Sequence, residues 1–116
     1  MKLTLDDSLP VFTWIRCDGD ITQDQTFADP MRDGFGADIY AKKVVIDMTN
    51  ARRVDSSGVS WLLGCQRRFR EGGGSLTLCS VPPIVMDVFR VLSLDKSFQI
   101  VDRAEIEKLS NEGSEQ

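Results

Sequence analysis

The sequence contains no histidine, and its three cysteines, Cys17, Cys65 and Cys79, do not form a CxxC pair. The missing histidine excludes nucleophile–base pairs built on that residue, and also histidine-containing zinc sites. Cysteines that are odd in number and far apart do not indicate a disulfide framework, so we expect reduced, buried or half-buried thiols in a reducing compartment. These absences argue against catalysis, and we predict no catalytic residue, no cofactor and no metal site.

Long apolar runs and basic clusters are also missing. The N-terminal segment becomes acidic at Asp6 and Asp7 before a signal core can develop, and no run is long enough to cross a bilayer. The formal net charge is −4, from 18 acidic and 14 basic residues, which does not suit binding to a phosphate backbone. We therefore expect a cytoplasmic protein without direct membrane insertion and without a nucleic acid partner.

What remains is the composition of one ordinary globular domain. The chain has 116 residues, of which 41% are hydrophobic and 28% are charged. That length allows a real core but leaves no room for a second domain of normal size. We predict a single domain at residues 1–110 and a disordered C-terminal tail at residues 111–116.

Strand and helix patterns alternate along the chain. Short β-rich runs predict strands near residues 3–5, 11–16, 44–48, 75–81 and 98–101. Helical patterns predict a short or irregular helix within residues 21–41, starting at Asp29-Pro30, and further helices from 56 to 70, after Pro82-Pro83 and after Asp102. The order β-β-α-β-α-β-α-β-α predicts an α/β fold with a mostly parallel or mixed sheet.

The helix at residues 56–70 has two sides of different character. One side is mostly apolar and should face the sheet: Val59, Leu62, Leu63, Gln66 and Phe69. Trp61 lies off that side, so it is either an exposed interface anchor or packed under a neighbouring helix. Cys65 and Arg68 share its side and would extend a contact surface.

The segment Asp55-Ser56-Ser57-Gly58 places two hydroxyls where a strand ends and a helix begins. Free N–H groups and the helix dipole stabilise negative charge at such a position. A phosphate on Ser56 would add close to two charges there, next to Asp55, and would alter a surface matched to the neutral hydroxyl. The alternative is purely structural, with Ser56 or Ser57 capping the helix.

The chain from about Lys43 to Ile100 resembles the STAS domain, the family of anti-sigma-factor antagonists and of the cytoplasmic tails of sulphate transporters. The resemblance is carried by these blocks and their spacing: Val44 to Met48, Val54 to Val59, Leu62 to Gly64, Gly73 to Leu76, Val81 to Pro83, and Val88 to Leu92.

The resemblance implies a fold and a function. The expected fold is a small mixed β-sheet of four to five strands with helices packed on one side. The expected function is that of an antagonist which, when unphosphorylated, binds an anti-sigma factor with serine kinase activity. In that family the phosphorylated serine directly follows the aspartate, which maps onto Ser56, with Asp55, Ser57 and Gly58 supporting the site. A separate serine phosphatase would restore the hydroxyl.

The partner-binding candidates lie on either side of this segment. The family usually has an acidic residue shortly after the glycine that ends the second strand. Here Gly19-Asp20-Ile21 fits the family pattern. The next matching position is occupied by Thr22 and not by an acidic residue, although Asp24 lies nearby. With Trp61, Cys65 and Arg68, these residues form the predicted contact surface.

Two other functions fit the same pattern. The chain could be a STAS subunit of a signalling scaffold or membrane transport complex, in which the serine is only structural. It could also be a small-molecule or nucleotide sensor that uses the helix mouth as an anion site, and would then gain thermal stability with ligand.

Overall fold

The fold is a mixed sheet with helices, seen here in a computed structural model that describes residues 2–6, 12–22, 30–102, 104–106 and 108. The strands are β1 (Lys2–Asp6), β2 (Thr13–Ile21), β3 (Lys43–Asp47), β4 (Ala51–Val54), β5 (Ser75–Cys79) and β6 (Gln99–Val101). The helices are α1 (Pro30–Phe35), a 3₁₀ helix (Ala37–Ala41), α2 (Ser56–Gly72) and α3 (Pro83–Val91). Residues 104–106 and 108 are also helical. The predicted α/β class is confirmed, and the part of the chain that the structure describes forms a sheet of six strands, where four to five were predicted.

The strands follow the order β1-β2-β3-β5-β6, and β4 pairs with β2. Among the described strands, only β1 is antiparallel to its neighbour, and the other pairs are parallel. Parallel neighbours need crossover connections, which α2 and α3 supply on either side of β5. The boundary between 110 and the tail at 111–116 lies outside the described residues.

Strand β4 has no counterpart among the strands predicted from the sequence. Its two exposed arginines, Arg52 and Arg53, lie between the buried residues Ala51 and Val54. The second strand also extends further than the predicted residues 11–16, because β2 runs to Ile21. Gly19 has a φ of +90°, and the pairing register shifts between Gly19 and Asp20, so β2 passes through this irregularity and continues to Ile21.

The main core lies between one face of the sheet and the helices. Ile15, Ile46 and Leu78 are neighbours across three strands and are fully buried. They belong to one cluster with Leu62, Phe69, Val85 and Phe89 from α2 and α3. Helices α2 and α3 therefore pack against this face of the sheet, as the sequence predicted.

The opposite face of the sheet has a smaller core. Trp14, Val45 and Cys79 cluster there with Ile106 from the last helical segment. Helical residues therefore cover part of the second face too, which the one-sided arrangement did not include. Within the described residues, no helix is long and apolar enough to span a bilayer. The expectation of buried thiols is confirmed, because Cys17, Cys65 and Cys79 are all buried.

Helix α2 buries a wider surface than its sequence pattern predicted. Trp61 and Cys65 are buried together with Leu62, whereas Leu63, assigned to the sheet side, is 37% exposed. The helix also contacts the 3₁₀ segment, where the ring of Tyr40 lies edge-on, with its centroid 5.0 Å from that of Phe69. Burial on two sides explains why a single apolar stripe did not account for this helix.

Candidate functional site

Asp55 is the N-cap of α2 and organises the first turn of the helix. Its carboxylate oxygen Oδ1 accepts hydrogen bonds from the Gly58 backbone N–H at 2.8 Å and from the Ser57 hydroxyl at 2.7 Å. The hydrogen bond from Ser57, followed by that from the Gly58 backbone, holds the pKa of Asp55 below its ordinary value. The helix mouth therefore already contains a carboxylate that favours its charged form.

The two serines that follow Asp55 differ in their surroundings. Ser57 is half-buried and donates its hydroxyl proton to Asp55. Ser56 is exposed, and its hydroxyl has no hydrogen-bond partner among the described residues. Among the described residues the Ser56 hydroxyl is therefore open to solvent, whereas any change at the Ser57 hydroxyl would remove a bond that supports the cap.

Gly58 brings the end of β2 against the start of α2. A Cβ atom at this position would overlap the carbonyl oxygen of Ile21 and would lie 2.7 Å from its carbonyl carbon and 3.0 Å from Val54 Cγ2. The same Ile21 carbonyl accepts the Asp55 backbone N–H at 3.3 Å. Only glycine fits here without displacing backbone, so Gly58 supports the site by allowing this close approach.

The acidic end of β2 is tied to the strand that leads into the site. Asp20 is paired with Arg52 at 3.5 Å and with Arg53 at 3.2 Å. Thr22, directly after β2, is half-buried. Asp20 and Thr22 flank Ile21 in the chain, and the carbonyl of Ile21 accepts the Asp55 N–H; their role in binding a partner stays a prediction. Asp24 lies outside the described residues.

Trp61, Cys65 and Arg68 were predicted to form the other half of the contact surface. That prediction is wrong for Trp61 and Cys65. Trp61 is only 5% exposed and Cys65 is fully buried, so neither is available as a surface anchor. Both belong to the main core cluster. Arg68 is half-buried. The alternative reading of Trp61 as a packed core residue is the one that agrees with its burial.

Asp47 shapes the path from β3 to the site, a role that the sequence did not suggest. Its buried carboxylate accepts hydrogen bonds from the Thr49 backbone N–H at 3.0 Å and from the Thr49 hydroxyl at 2.6 Å. These bonds fold the turn that joins β3 to β4, as aspartate side chains commonly do. The signal in the sequence is an Asp-x-Thr triplet directly after the β-branched run.

Arg52 and Arg53 are the residues near the site that the sequence reading missed. The sequence shows them as two adjacent cations, four and three residues before Ser56, but predicts no strand there. Their side chains are 76% and 74% exposed. Their place beside Asp20 depends on the irregular pairing of β2 with β4, which no local pattern reveals.

The comparisons with known proteins agree with this arrangement. The model of the STAS domain family matches residues 10–106. The chain therefore belongs to the STAS domain family. No curated protein matched the chain.

Solved structures share the STAS fold at low sequence identity. The anti-sigma factor antagonist SpoIIAA in its unphosphorylated form aligns with a TM-score of 0.69 at 22% identity, covering 97% of this chain and 97% of that chain. TM1081 from Thermotoga maritima, provisionally assigned as an anti-sigma factor antagonist, gives a TM-score of 0.70 at 16% identity, covering 95% and 93%. A STAS domain protein from Planctomyces limnophilus gives 0.64 at 20% identity, covering 95% and 97%. These likenesses establish the shared fold.

Proposed function

We propose that this STAS domain is an anti-sigma-factor antagonist whose affinity for its partner is set by phosphorylation of Ser56. In the unphosphorylated state it binds an anti-sigma factor that has serine kinase activity. That kinase transfers the terminal phosphoryl group of ATP to Ser56 Oγ: the new O–P bond forms as the bond to ADP breaks, the hydroxyl proton passes to the kinase's base and then to solvent, and ADP and the partner are released. A serine phosphatase later hydrolyses the phosphate and restores the hydroxyl. The module itself is cytoplasmic and has a binding role, not a catalytic one.

The observation that carries this proposal is the contrast between the two serines. Ser56 is exposed and its hydroxyl is not engaged by any described residue, while Ser57 is bonded to Asp55. A serine that accepts a phosphate must enter the active site of a kinase, so the exposed hydroxyl of Ser56 is the better substrate. Loss of the Ser57 hydrogen bond would instead weaken the capping arrangement around Asp55.

The electrostatics of the site support a change in partner affinity. Asp55 favours its ionised form, because Ser57 and Gly58 donate to it. A phosphate on the neighbouring residue adds about −1.5 to −2 charges beside that carboxylate. A partner surface that fits a neutral hydroxyl would then face two adjacent anions, and charge repulsion and desolvation would both oppose binding.

The test is phosphopeptide mapping of the native protein from its source organism under several growth and stress conditions. We expect phosphate on Ser56, with an occupancy that changes with condition, and none on Ser57. A Ser57→Ala variant should keep the modification, whereas Ser56→Ala should lose it. If Ser56 stays unmodified in every condition while the protein stays in a fixed complex, the switch is refuted and the scaffold function takes its place.

The sensor function has a test of its own, which is thermal stabilisation of the domain by a ligand. A cavity of about 300 Å³ lies away from the helix mouth, lined by residues of the β5–α3 connection, α3, β6 and the segment after β6. None of the residues 55–58 contributes to its lining. Thermal stabilisation by a nucleotide that is lost in Ser56→Ala would favour the sensor function over the switch.

A further inference from the structure

Two arginines on β4 share a single carboxylate. Arg52 Nε lies 3.5 Å from Asp20 Oδ1, and Arg53 Nε lies 3.2 Å from Asp20 Oδ2. The side chain of Asp20 is 28% exposed, and those of the arginines are 76% and 74% exposed. One carboxylate thus pairs with two guanidinium groups. We call Arg52 and Arg53 the β4 arginine pair; together with Asp20 they carry one surplus positive charge.

The β4 arginine pair lies at the edge of the phosphoacceptor segment. Arg53 is directly opposite Asp20 in the pairing of β4 with β2. The next residue of β2, Ile21, accepts the Asp55 N–H and touches Gly58 in the first turn of α2. Arg53 is also only three residues before Ser56. Both the sequence and the sheet register therefore place the backbone of Arg53 next to the segment that leads into α2.

A phosphate on Ser56 would compete with Asp20 for the guanidinium groups of the β4 arginine pair. A phosphoserine carries close to two negative charges and three acceptor oxygens, whereas Asp20 offers one charge that is already divided between two guanidinium groups. The planar guanidinium fork matches phosphate oxygens well. An exposed ion pair is held weakly, so leaving Asp20 costs little.

We propose that Arg53 binds the phosphate on Ser56 and that Arg52 stays with Asp20. This inference rests on the proposed function, since it names how the phosphorylated form of that site is held. Phosphorylation then changes the surface at two points. It adds a dianion at Ser56, and it removes a cation from Asp20, so the acidic end of β2 becomes more negative as well.

The test uses the full chain with phosphoserine placed at position 56 during translation, which requires no kinase. Phosphorus-31 NMR gives the second pKa of the phosphate in the parent protein and in variants. We expect Arg53→Gln to raise that pKa by about half a unit, the size of an exposed ion pair. Arg52→Gln should have a smaller effect. Asp20→Asn should lower the pKa, because it leaves both arginines available to the phosphate.

The matched control is Arg90→Gln, which removes another exposed arginine from a single ion pair, that with Asp87 on α3. It should leave the phosphate pKa unchanged. In parallel, the Nε–H signal of Arg53 should move when Ser56 carries phosphate, while that of Arg90 should not. Equal pKa values for Arg53→Gln and Arg90→Gln, or an unmoved Arg53 signal, would overturn the inference. Neither outcome would bear on whether a kinase modifies Ser56 in the cell, which phosphopeptide mapping decides separately.

Discussion

Gly58 in the first turn of α2 lies directly against the backbone carbonyl of Ile21 at the end of β2. This contact fixes the distance between the strand that carries Asp20 and the helix that begins at Ser56. The hydrogen bond from Asp55 N–H to the same carbonyl, at 3.3 Å, joins the two elements a second time. The geometry of the candidate site therefore depends on a residue without a side chain.

Gly58→Ala should destabilise the protein, although alanine favours helix. The added methyl group overlaps backbone atoms of Ile21, which cannot rotate away, and such overpacking costs about 1–3 kcal/mol. Urea denaturation should show a lower midpoint. The control is Gly64→Ala in the same helix, where the nearest atom is 3.4 Å away on the flexible Arg68 side chain. That variant should be neutral or more stable by up to about 1 kcal/mol. Equal midpoints for the two variants would contradict the close approach.

Ser57→Ala should raise the pKa of Asp55. The Ser57 hydroxyl is the main cause of its lowered value, and the Gly58 N–H is the next. A lowered folded pKa means that the carboxylate stabilises the fold above the unfolded aspartate value of about 3.9, and that this is lost as the pH falls through the folded value. Carbon-13 NMR titration of Asp55 Cγ measures the change. Ser56→Ala is the control and should leave the pKa of Asp55 in place, whereas an equal rise in both variants would show that Ser57 has no special role.

Trp61→Ala should lower stability as a core substitution does. The side chain is 5% exposed, and truncating a buried tryptophan costs about 3–5 kcal/mol. Leu63→Ala, two residues later and 37% exposed, should cost about 1 kcal/mol or less. Denaturation curves of the two variants separate a core role from an interface role. A Trp61 variant as stable as the Leu63 variant would mean that Trp61 is not part of the core.

Cys17 should resist alkylation in the folded protein. Burial raises the pKa of its thiol to about 11, so only about one molecule in a thousand would be a thiolate at pH 8. Iodoacetamide followed by mass spectrometry should leave the folded chain unmodified, since Cys65 and Cys79 are also buried. The urea-unfolded chain should react at all three positions. Rapid labelling of Cys17 in the folded state would contradict its burial.

The sequence predicted those helices and strands whose neighbouring residues all favour the same secondary structure. The apolar run Val44-Val45-Ile46 predicted β3, and Pro82-Pro83 predicted the start of α3. Strand β4 could not be predicted in this way, because its four residues include Arg52 and Arg53 and its pairing depends on the irregularity at Gly19. A strand of that length carries too few buried residues to show a period.

Tertiary contacts also decided the parts of the site that the sequence left open. Trp61 lies off the sheet-facing stripe of α2, and its burial reflects a helix that packs on more than one side. The motif Asp55-Ser56-Ser57 contains two hydroxyls, and the residues alone did not say which one Asp55 would engage. That choice follows from where α2 begins, because the side chain of an N-cap residue lies over the second and third helical residues, which here are Ser57 and Gly58.

The most direct test of the central claim is to purify the tagged chain from its source organism and identify the bound proteins by mass spectrometry. The parent chain, Ser56→Ala and Ser56→Asp should be compared. The account predicts that an anti-sigma factor with a serine kinase domain is retained by the parent chain and by Ser56→Ala and is lost from Ser56→Asp. Retention of the same proteins by all three chains would contradict it.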